Sequence, residues 1–188
     1  MSDVVPLTGE PLALDLVNTR TTAGDLLATP DDLRAWLLLQ ADRLPDPGLL
    51  DMHDVCAVHF VREHAANAIE RACHGERPAD PDLAALNDAQ RAAPAITELT
   101  WDGIAVTGVR RRTGPPGAQL AGQLAEAAAD LLADPSVTRI RQCEADDCVL
   151  LFLPAHPRRR WCSAARCGNR VRVARHYQRR KGPGVSGA

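Results

Sequence analysis

The sequence is poor in aromatic residues, in lysine and in long apolar runs. Phe, Trp and Tyr make up 3% of the 188 residues, and Lys181 is the sole lysine. No apolar run reaches the ~18 residues that a membrane-spanning helix needs, and the N-terminus lacks the basic and apolar segments of a signal peptide. We therefore expect a cytoplasmic protein without a membrane span, in which reduced cysteines hold a metal more often than they form disulfides.

Acidic and basic residues are unevenly distributed along the chain. Residues 1–138 contain 10 basic and 21 acidic residues, whereas residues 139–188 contain 12 basic and 3 acidic residues. The formal net charge of −2 therefore combines −11 with +9. Such a split predicts two surfaces with different tasks, the basic one suited to an anionic polymer. The alternative is that the basic segment docks on the acidic part of its own chain.

The first half of the chain predicts helices. Residues 11–19 form a short apolar stretch. Its leucines at 12, 14 and 16 alternate as in a strand, but Ala13 and Val17 also permit a buried helical turn, and we favour the helix. Thr29, followed by Pro30 and two aspartates, is typical of a capped helix start. This helix is expected to bury Leu33, Trp36, Leu37 and Leu39. A longer helix is expected over residues 47–74, and Gly75 suits its C-terminal end.

A β-hairpin and two more helices complete the N-terminal part. Residues 95–101 and 104–110 alternate apolar and polar side chains, and Asp102-Gly103 between them predicts a two-residue type I′ turn. Helical spacing predicts helices over residues 81–93 and from the break at 114–117 to residue 133. We expect Cys56 and Cys73 in this part to be buried and inert.

A polar cluster follows the first apolar stretch, and it is a candidate effector pocket. Its residues are Asp15, Asn18, Thr19 and Arg20. The alternative is that Asn18 or Thr19 caps the helix or satisfies a turn. No nucleophile and base are brought together here, so we predict no catalytic residues and no enzyme.

Four of the six cysteines lie in the basic segment with the spacing C-x4-C-x13-C-x4-C. They are Cys143, Cys148, Cys162 and Cys167. Four thiolates bind zinc tetrahedrally in closed, structural sites, and a segment of about 43 residues needs such a staple because its own core is small. Disulfides and an iron–sulfur cluster are the alternatives. We predict one structural Zn²⁺.

The residues after the second cysteine pair predict a basic helix. Ser163 is the expected N-cap, and Cys167, Val171 and Ala174 are expected to face the zinc and a short strand at 149–153. That strand is expected to pair with residues 139–142 or with the return near 160–161. Arginines match phosphate oxygens well, so we predict a nucleic-acid surface. Its candidate residues are Arg158, Arg159, Arg160, Arg166, Asn169, Arg170, Arg172, Arg175, Arg179, Arg180 and Lys181.

Few aromatic side chains accompany these arginines, which favours a helix in a DNA groove over stacking on single strands. In this interpretation Asn169 and Arg170 read base edges, and the other basic residues bind phosphate.

Cys167-Gly168-Asn169-Arg170, the RRWCS stretch at 159–163, the LFL stretch at 151–153 and the two cysteine pairs resemble the CGNR zinc-finger family of bacteria. The LDLVNTR stretch at 14–20 resembles the opening of the ABATE domain that usually precedes that finger. The resemblance implies a stress-responsive transcription regulator, with the zinc module binding nucleic acid and the ABATE domain acting as a sensor.

The prediction is thus an α+β protein that is mainly α. Residues 1–134 form a helical ABATE-like domain for sensing or dimerisation, residues 135–182 form the CGNR-type zinc module, and residues 183–188 are a disordered tail. We predict a stress- or ligand-responsive regulator that binds DNA rather than RNA, with a small-molecule effector and a homodimer as further expectations. The alternatives are an RNA-binding protein, or a thiol and zinc redox switch that acts on a protein partner.

Overall fold

The computed structural model describes residues 5–46 and 48–180, and of residues 178–180 it describes the backbone alone. The predicted tail at 183–188 and Lys181 lie outside these ranges. The elements of the N-terminal domain are α1 (Leu12–Val17), β1 (Arg20–Thr21), β2 (Gly24–Asp25), α2 (Pro30–Leu38), α3 (Met52–Cys73), α4 (Asp80–Ala92), β3 (Ile96–Trp101), β4 (Val106–Arg111) and α5 (Pro116–Ala133). The C-terminal elements are a 3-10 helix (Pro135–Arg139), β5 (Arg141–Gln142), β6 (Leu151–Phe152), a π-helical turn (Ala164–Gly168) and α6 (Asn169–Arg180). The predicted fold class, α+β and mainly α, is confirmed.

The N-terminal core forms where α3 and α5 pack along each other, and α4 and α1 each pack against both of them. Leu14 and Leu16 of α1 and Trp36 of α2 are fully buried in this core. Each buried leucine contributes about 1.5–3 kcal/mol relative to an exposed one. The predicted buried helix at 11–19 is therefore present. No helix in the described part of the chain is long and apolar enough to cross a membrane.

Side-chain caps set the helix starts. Thr29 and Asp32 form the capping box of α2, which agrees with the predicted start. The predicted start of the long helix at residue 47 is wrong, because Asp51 caps α3 by accepting from the N–H groups of His53 and Asp54. Gly75 has φ +74° just beyond the helix, as its predicted role at the C-terminal end requires.

The β3–β4 hairpin has a longer loop than the sequence predicts. Its strands pair from Ile96↔Arg111 to Trp101↔Val106, which leaves four loop residues, 102–105. A type I′ turn needs positive φ at both central residues, but every described residue with positive φ is a glycine. Asp102 instead accepts hydrogen bonds from the N–H groups of Ile104 and Ala105, each at 2.8 Å. Both faces of the hairpin are exposed.

Two further burial predictions are wrong. Cys56 is exposed, because it follows the core residue Val55 by one position and so lies about 100° around α3. Leu39 is exposed because α2 ends at Leu38. Cys73 is half-buried, and its thiol donates to the carbonyl of Glu70.

A second, smaller core lies in the C-terminal module. Of the two partners predicted for the strand at 149–153, the one at 139–142 is confirmed, with Arg141 opposite Phe152 and Gln142 opposite Leu151. Phe152 is fully buried among three of the four clustered cysteines and Ala145. Leu7, from the start of the chain, packs against the same cluster. The two cores therefore meet, since Leu151 and Leu153 also pack against the N-terminal core.

Candidate metal centre and basic surface

The four predicted ligand thiols are brought together by the folding of the C-terminal module. Their sulfur atoms all lie within 4.8 Å of one another. The Sγ of Cys162 is 3.8 Å from that of Cys148 and 3.6 Å from that of Cys167. A tetrahedron with Zn–S bonds of ~2.3 Å separates its sulfurs by about 3.8 Å, whereas a disulfide needs ~2.05 Å. The four cysteines therefore fit one structural Zn²⁺.

Local backbone geometry presents each sulfur. Each cysteine pair lies on a short loop, called a knuckle below. In the first knuckle, the N–H of Cys143 donates to the carbonyl of Leu150 at 2.9 Å, and the N–H of Cys148 donates to the carbonyl of Ala145 at 3.0 Å. In the second, Ser163 accepts from the N–H of Arg166, as its predicted capping role requires. The N–H of Gly168 reaches back to Ser163 at 3.0 Å, so Cys167 sits in a wide π-helical turn rather than an ordinary α-helical one.

A cation bound by the four cysteines has to offset the burial and mutual repulsion of their thiolates. Burial, followed by the neighbouring sulfurs, raises the pKa of Cys148 to about 11, and the same causes raise the pKa of Cys162. Burial also acts on Cys143, but N–H donors from Cys162 and Ala145 hold the pKa of that thiol below its ordinary value. A divalent cation favours deprotonated sulfur. Arg170 lies 3.7 Å from the Sγ of Cys167 and offsets part of the negative charge of the thiolates.

The zinc module is fastened to the N-terminal domain through polar contacts. Asn18 bonds both backbone polar groups of Leu151. The carboxylate of Glu10 accepts from the N–H of Leu153 and from Arg159. These contacts span more than 130 positions, and no periodicity in the sequence indicated them. The one available signal was the polar cluster after residue 14, which contains Asn18.

The residues of the predicted effector pocket are mostly satisfied within the protein. The buried Asp15 carboxylate accepts from the N–H groups of Gly9 and Glu10 and pairs with Arg43. Thr19 donates to the carbonyl of Leu16. This bond satisfies the turn after α1, as the alternative to an effector pocket predicts. Arg20, by contrast, is exposed. An effector bound by these four residues stays a prediction.

The arginines at 158–160 differ in their surroundings. Arg158 is exposed. The half-buried guanidinium of Arg159 lies 4.5 Å from the centre of the Phe152 ring and bonds Glu10 and the carbonyls of Trp161 and Cys162. Arg160 pairs with Glu144 at the surface. The environment of Arg159 therefore favours a structural role over contact with a partner.

The basic residues of the second knuckle and of α6 face solvent. Arg166, Arg170, Arg172 and Arg175 are exposed, and none of the ion pairs found among the described residues joins them to a carboxylate. A hydrogen bond from Arg160, followed by the positive charges of Arg160, Arg141 and Arg175, lowers the pKa of Glu144. The side chains of Arg179 and Arg180, and Lys181, lie outside the described residues.

Helix α6 leaves the module after its first turn. Cys167 is buried and Val171 half-buried, but Ala174, predicted to pack against the zinc and the strand, is exposed. The described side chains beyond Val171 are all exposed, so this part of α6 does not dock on the acidic domain. The sequence periodicity correctly predicted burial in the first turn of α6. It was wrong about Ala174, because no element in the described part of the chain covers that side chain.

Comparison with known families agrees with both parts of the fold. A family model named ABATE, described as "Putative stress-induced transcription regulator", matches residues 10–135. A model of the CGNR zinc finger matches residues 139–180. No curated protein shows significant similarity to the chain.

Proposed function

Since this chain belongs to the ABATE family and carries a CGNR zinc finger, we propose that it is a zinc-dependent transcription regulator that binds duplex DNA. Residues 135–182 bind the DNA, and residues 1–134 sense a stress signal or a ligand. The protein works in the cytoplasm, where its thiols stay reduced. Homodimerisation through the N-terminal domain is a separate prediction, which sedimentation velocity tests.

The projection of α6 from the zinc module supports this proposal. Its described residues Arg170, Arg172 and Arg175 are exposed, and the zinc-linked turn that precedes it holds its base. Arg172 and Arg175 form no ion pair with a described carboxylate, so little binding energy is lost in freeing them for phosphate, whereas Arg170 also contacts the Sγ of Cys167.

The proposed contacts divide by function. Asn169 and Arg170, at the start of α6, read base edges in the major groove. The remaining exposed arginines bind phosphate, as do Lys181 and the side chains of Arg179 and Arg180, which the structure does not describe. The phosphate set is Arg158, Arg160, Arg166, Arg172, Arg175, Arg179, Arg180 and Lys181. We leave out Arg159 because its guanidinium is bonded inside the protein.

The test compares two variants that lose the same charge. Arg172, Arg175 and Arg179 are changed together to Ala in one protein, and the exposed Arg71, Arg77 and Arg91 of the N-terminal domain are changed together to Ala in the control. We expect the first variant to lose duplex DNA binding in fluorescence anisotropy while zinc content stays at one per chain. Residual binding should depend on salt with a log–log slope smaller by about 3, since each phosphate contact contributes ~0.9.

Equal affinity of the two variants would overturn the proposal. Competition between duplex DNA and RNA of the same sequence separates DNA binding from the RNA-binding alternative. The redox alternative predicts release of zinc at low micromolar peroxide, which a colorimetric zinc chelator reports.

A further inference from the structure

A cavity of about 520 Å³ lies in the N-terminal domain, away from the residues first considered for an effector. Its walls are the base of the β3–β4 hairpin, the first three turns of α5 and the segment after α2. A volume of this size falls within the range of ~300–1,000 Å³ typical of small-molecule sites. The cavity is therefore large enough for an organic ligand.

The charges on its walls do not balance. Arg110 and Arg112 both pair with the same carboxylate, Glu126, one at each oxygen. The side chain of Arg112 is 10% exposed, so this charge is held in a mostly dry environment. The other carboxylate on the wall, Asp46, lies 3.6 Å from Arg34. Arg111, also on the wall, pairs with Glu98 at 2.8 Å. The pair of Arg110 and Arg112 thus keeps about one unit of positive charge uncompensated by Glu126.

One part of the wall is apolar, and Gln119 and Gln123 add polar groups beside it. Leu120, Pro116, Pro45 and Ala95 line the cavity opposite or beside the arginines. A site of this composition suits a ligand with one anionic group and an apolar body. We propose that the cavity binds a small organic carboxylate, whose anionic group bonds Arg110 and whose body packs against Leu120 and Pro116.

The position of the cavity suits the sensor role proposed above, on which its regulatory meaning rests. Gln123, on the cavity wall, donates to the carbonyl of Arg43 at 3.2 Å. Arg43 donates to the carbonyl of Glu10 at 2.8 Å. The carboxylate of Glu10 pairs with Arg159, which donates to the carbonyl of the zinc-site residue Cys162 at 2.6 Å. Contiguous hydrogen bonds thus connect the cavity with the zinc module and provide a physical route by which ligand binding could affect that module.

The experiment uses the full-length, zinc-loaded protein and benzoate as the probe, with benzamide as its neutral counterpart. We expect benzoate to bind saturably at one per chain in an NMR titration, and benzamide to bind at least tenfold more weakly. The backbone amide signals of Gln123, Arg43, Glu10 and Leu153 should move along the same saturation curve. That of Asp88, on the exposed side of α4, should stay in place.

Two substitutions that each remove one positive charge test where benzoate binds. Arg110→Gln should weaken benzoate binding at least tenfold, and because the Arg110 side chain is 66% exposed the fold should be retained. Arg91→Gln, on the surface of α4, should leave benzoate binding unchanged. Absent binding, equal binding of benzamide, or unchanged binding to Arg110→Gln overturns the inference. No nucleic acid enters this titration, so its failure and a failure of DNA binding are separate results.

Discussion

The side-chain amide of Asn18 pairs with both backbone polar groups of Leu151, donating to its carbonyl and accepting from its N–H, each at 2.8 Å. Leu151 belongs to β6, whose other neighbour is β5. Asn18 therefore satisfies the strand edge that β5 leaves open, as a further strand would do. A side chain of the N-terminal domain thereby completes the sheet of the zinc module.

Asn18→Ala should destabilise the protein by about 2 kcal/mol, because the N–H and carbonyl of Leu151 would lose their partner in a largely buried place. Urea unfolding measures the change. Thr22→Val is the control, since its exposed hydroxyl bonds Asp147 across the same junction at 3.2 Å; we expect a change below about 0.5 kcal/mol. Equal effects of the two substitutions would argue against a structural role for the amide.

The substitutions Arg159→Met and Arg158→Met remove the same charge from neighbouring positions, but we expect only the first to weaken zinc binding. Arg159→Met removes the bonds to Glu10 and to the carbonyl of Cys162, so zinc affinity should fall about 10–100-fold in competition with a chelator. Arg158→Met should keep zinc affinity and lower the salt slope of DNA binding by about 1. The prediction fails if both proteins retain zinc equally well.

Loss of zinc should unfold the C-terminal module and spare the helical domain. Cys162→Ser removes one of four sulfurs from a core that consists largely of those cysteines and Phe152, whereas the core of α1–α5 contains none of them. We expect the near-ultraviolet signal of Trp161 to be lost, with most of the helical signal retained. Cys56→Ser, at an exposed thiol, should change neither signal. Chelation of wild-type zinc should reproduce the Cys162→Ser spectrum.

The contribution of Asp25 to stability should depend on pH in acid. A hydrogen bond from Arg62, acting against partial burial, lowers the pKa of the Asp25 carboxylate from 3.8 to about 2. Because the folded pKa lies below the unfolded one, the contribution is complete above about pH 4 and disappears as pH falls towards 2. Asp25→Asn should therefore be less stable than wild type at pH 7, and the difference should shrink between pH 4 and 2. Zinc release affects both proteins, so their difference isolates the carboxylate; a constant difference would contradict the prediction.

Local patterns predicted the parts of this protein that depend on short-range chemistry. Thr29 with Pro30 marks a helix start whatever packs around it, and Gly75 ends α3 because glycine adopts positive φ there without strain. The cysteine spacing likewise predicted that four thiols bind one ion, since each pair is separated by only four residues and so stays close together whatever the rest of the fold. The alternation of apolar and polar side chains also identified the hairpin strands. The loop between them is longer than predicted, because the side chain of Asp102 binds the N–H groups of Ile104 and Ala105.

Tertiary structure decided which surfaces were left for partners. The sequence could not separate Arg159 from Arg158, because their difference lies in whether Glu10, far away in the chain, reaches the guanidinium. It identified Asn18 as a residue of interest but not its partner, since a hydrogen bond over 133 positions leaves no periodic trace. The motif by itself therefore determined the zinc-binding chemistry of the C-terminal module, whereas the packing of the two domains decided which arginines hold the protein together and which face solvent.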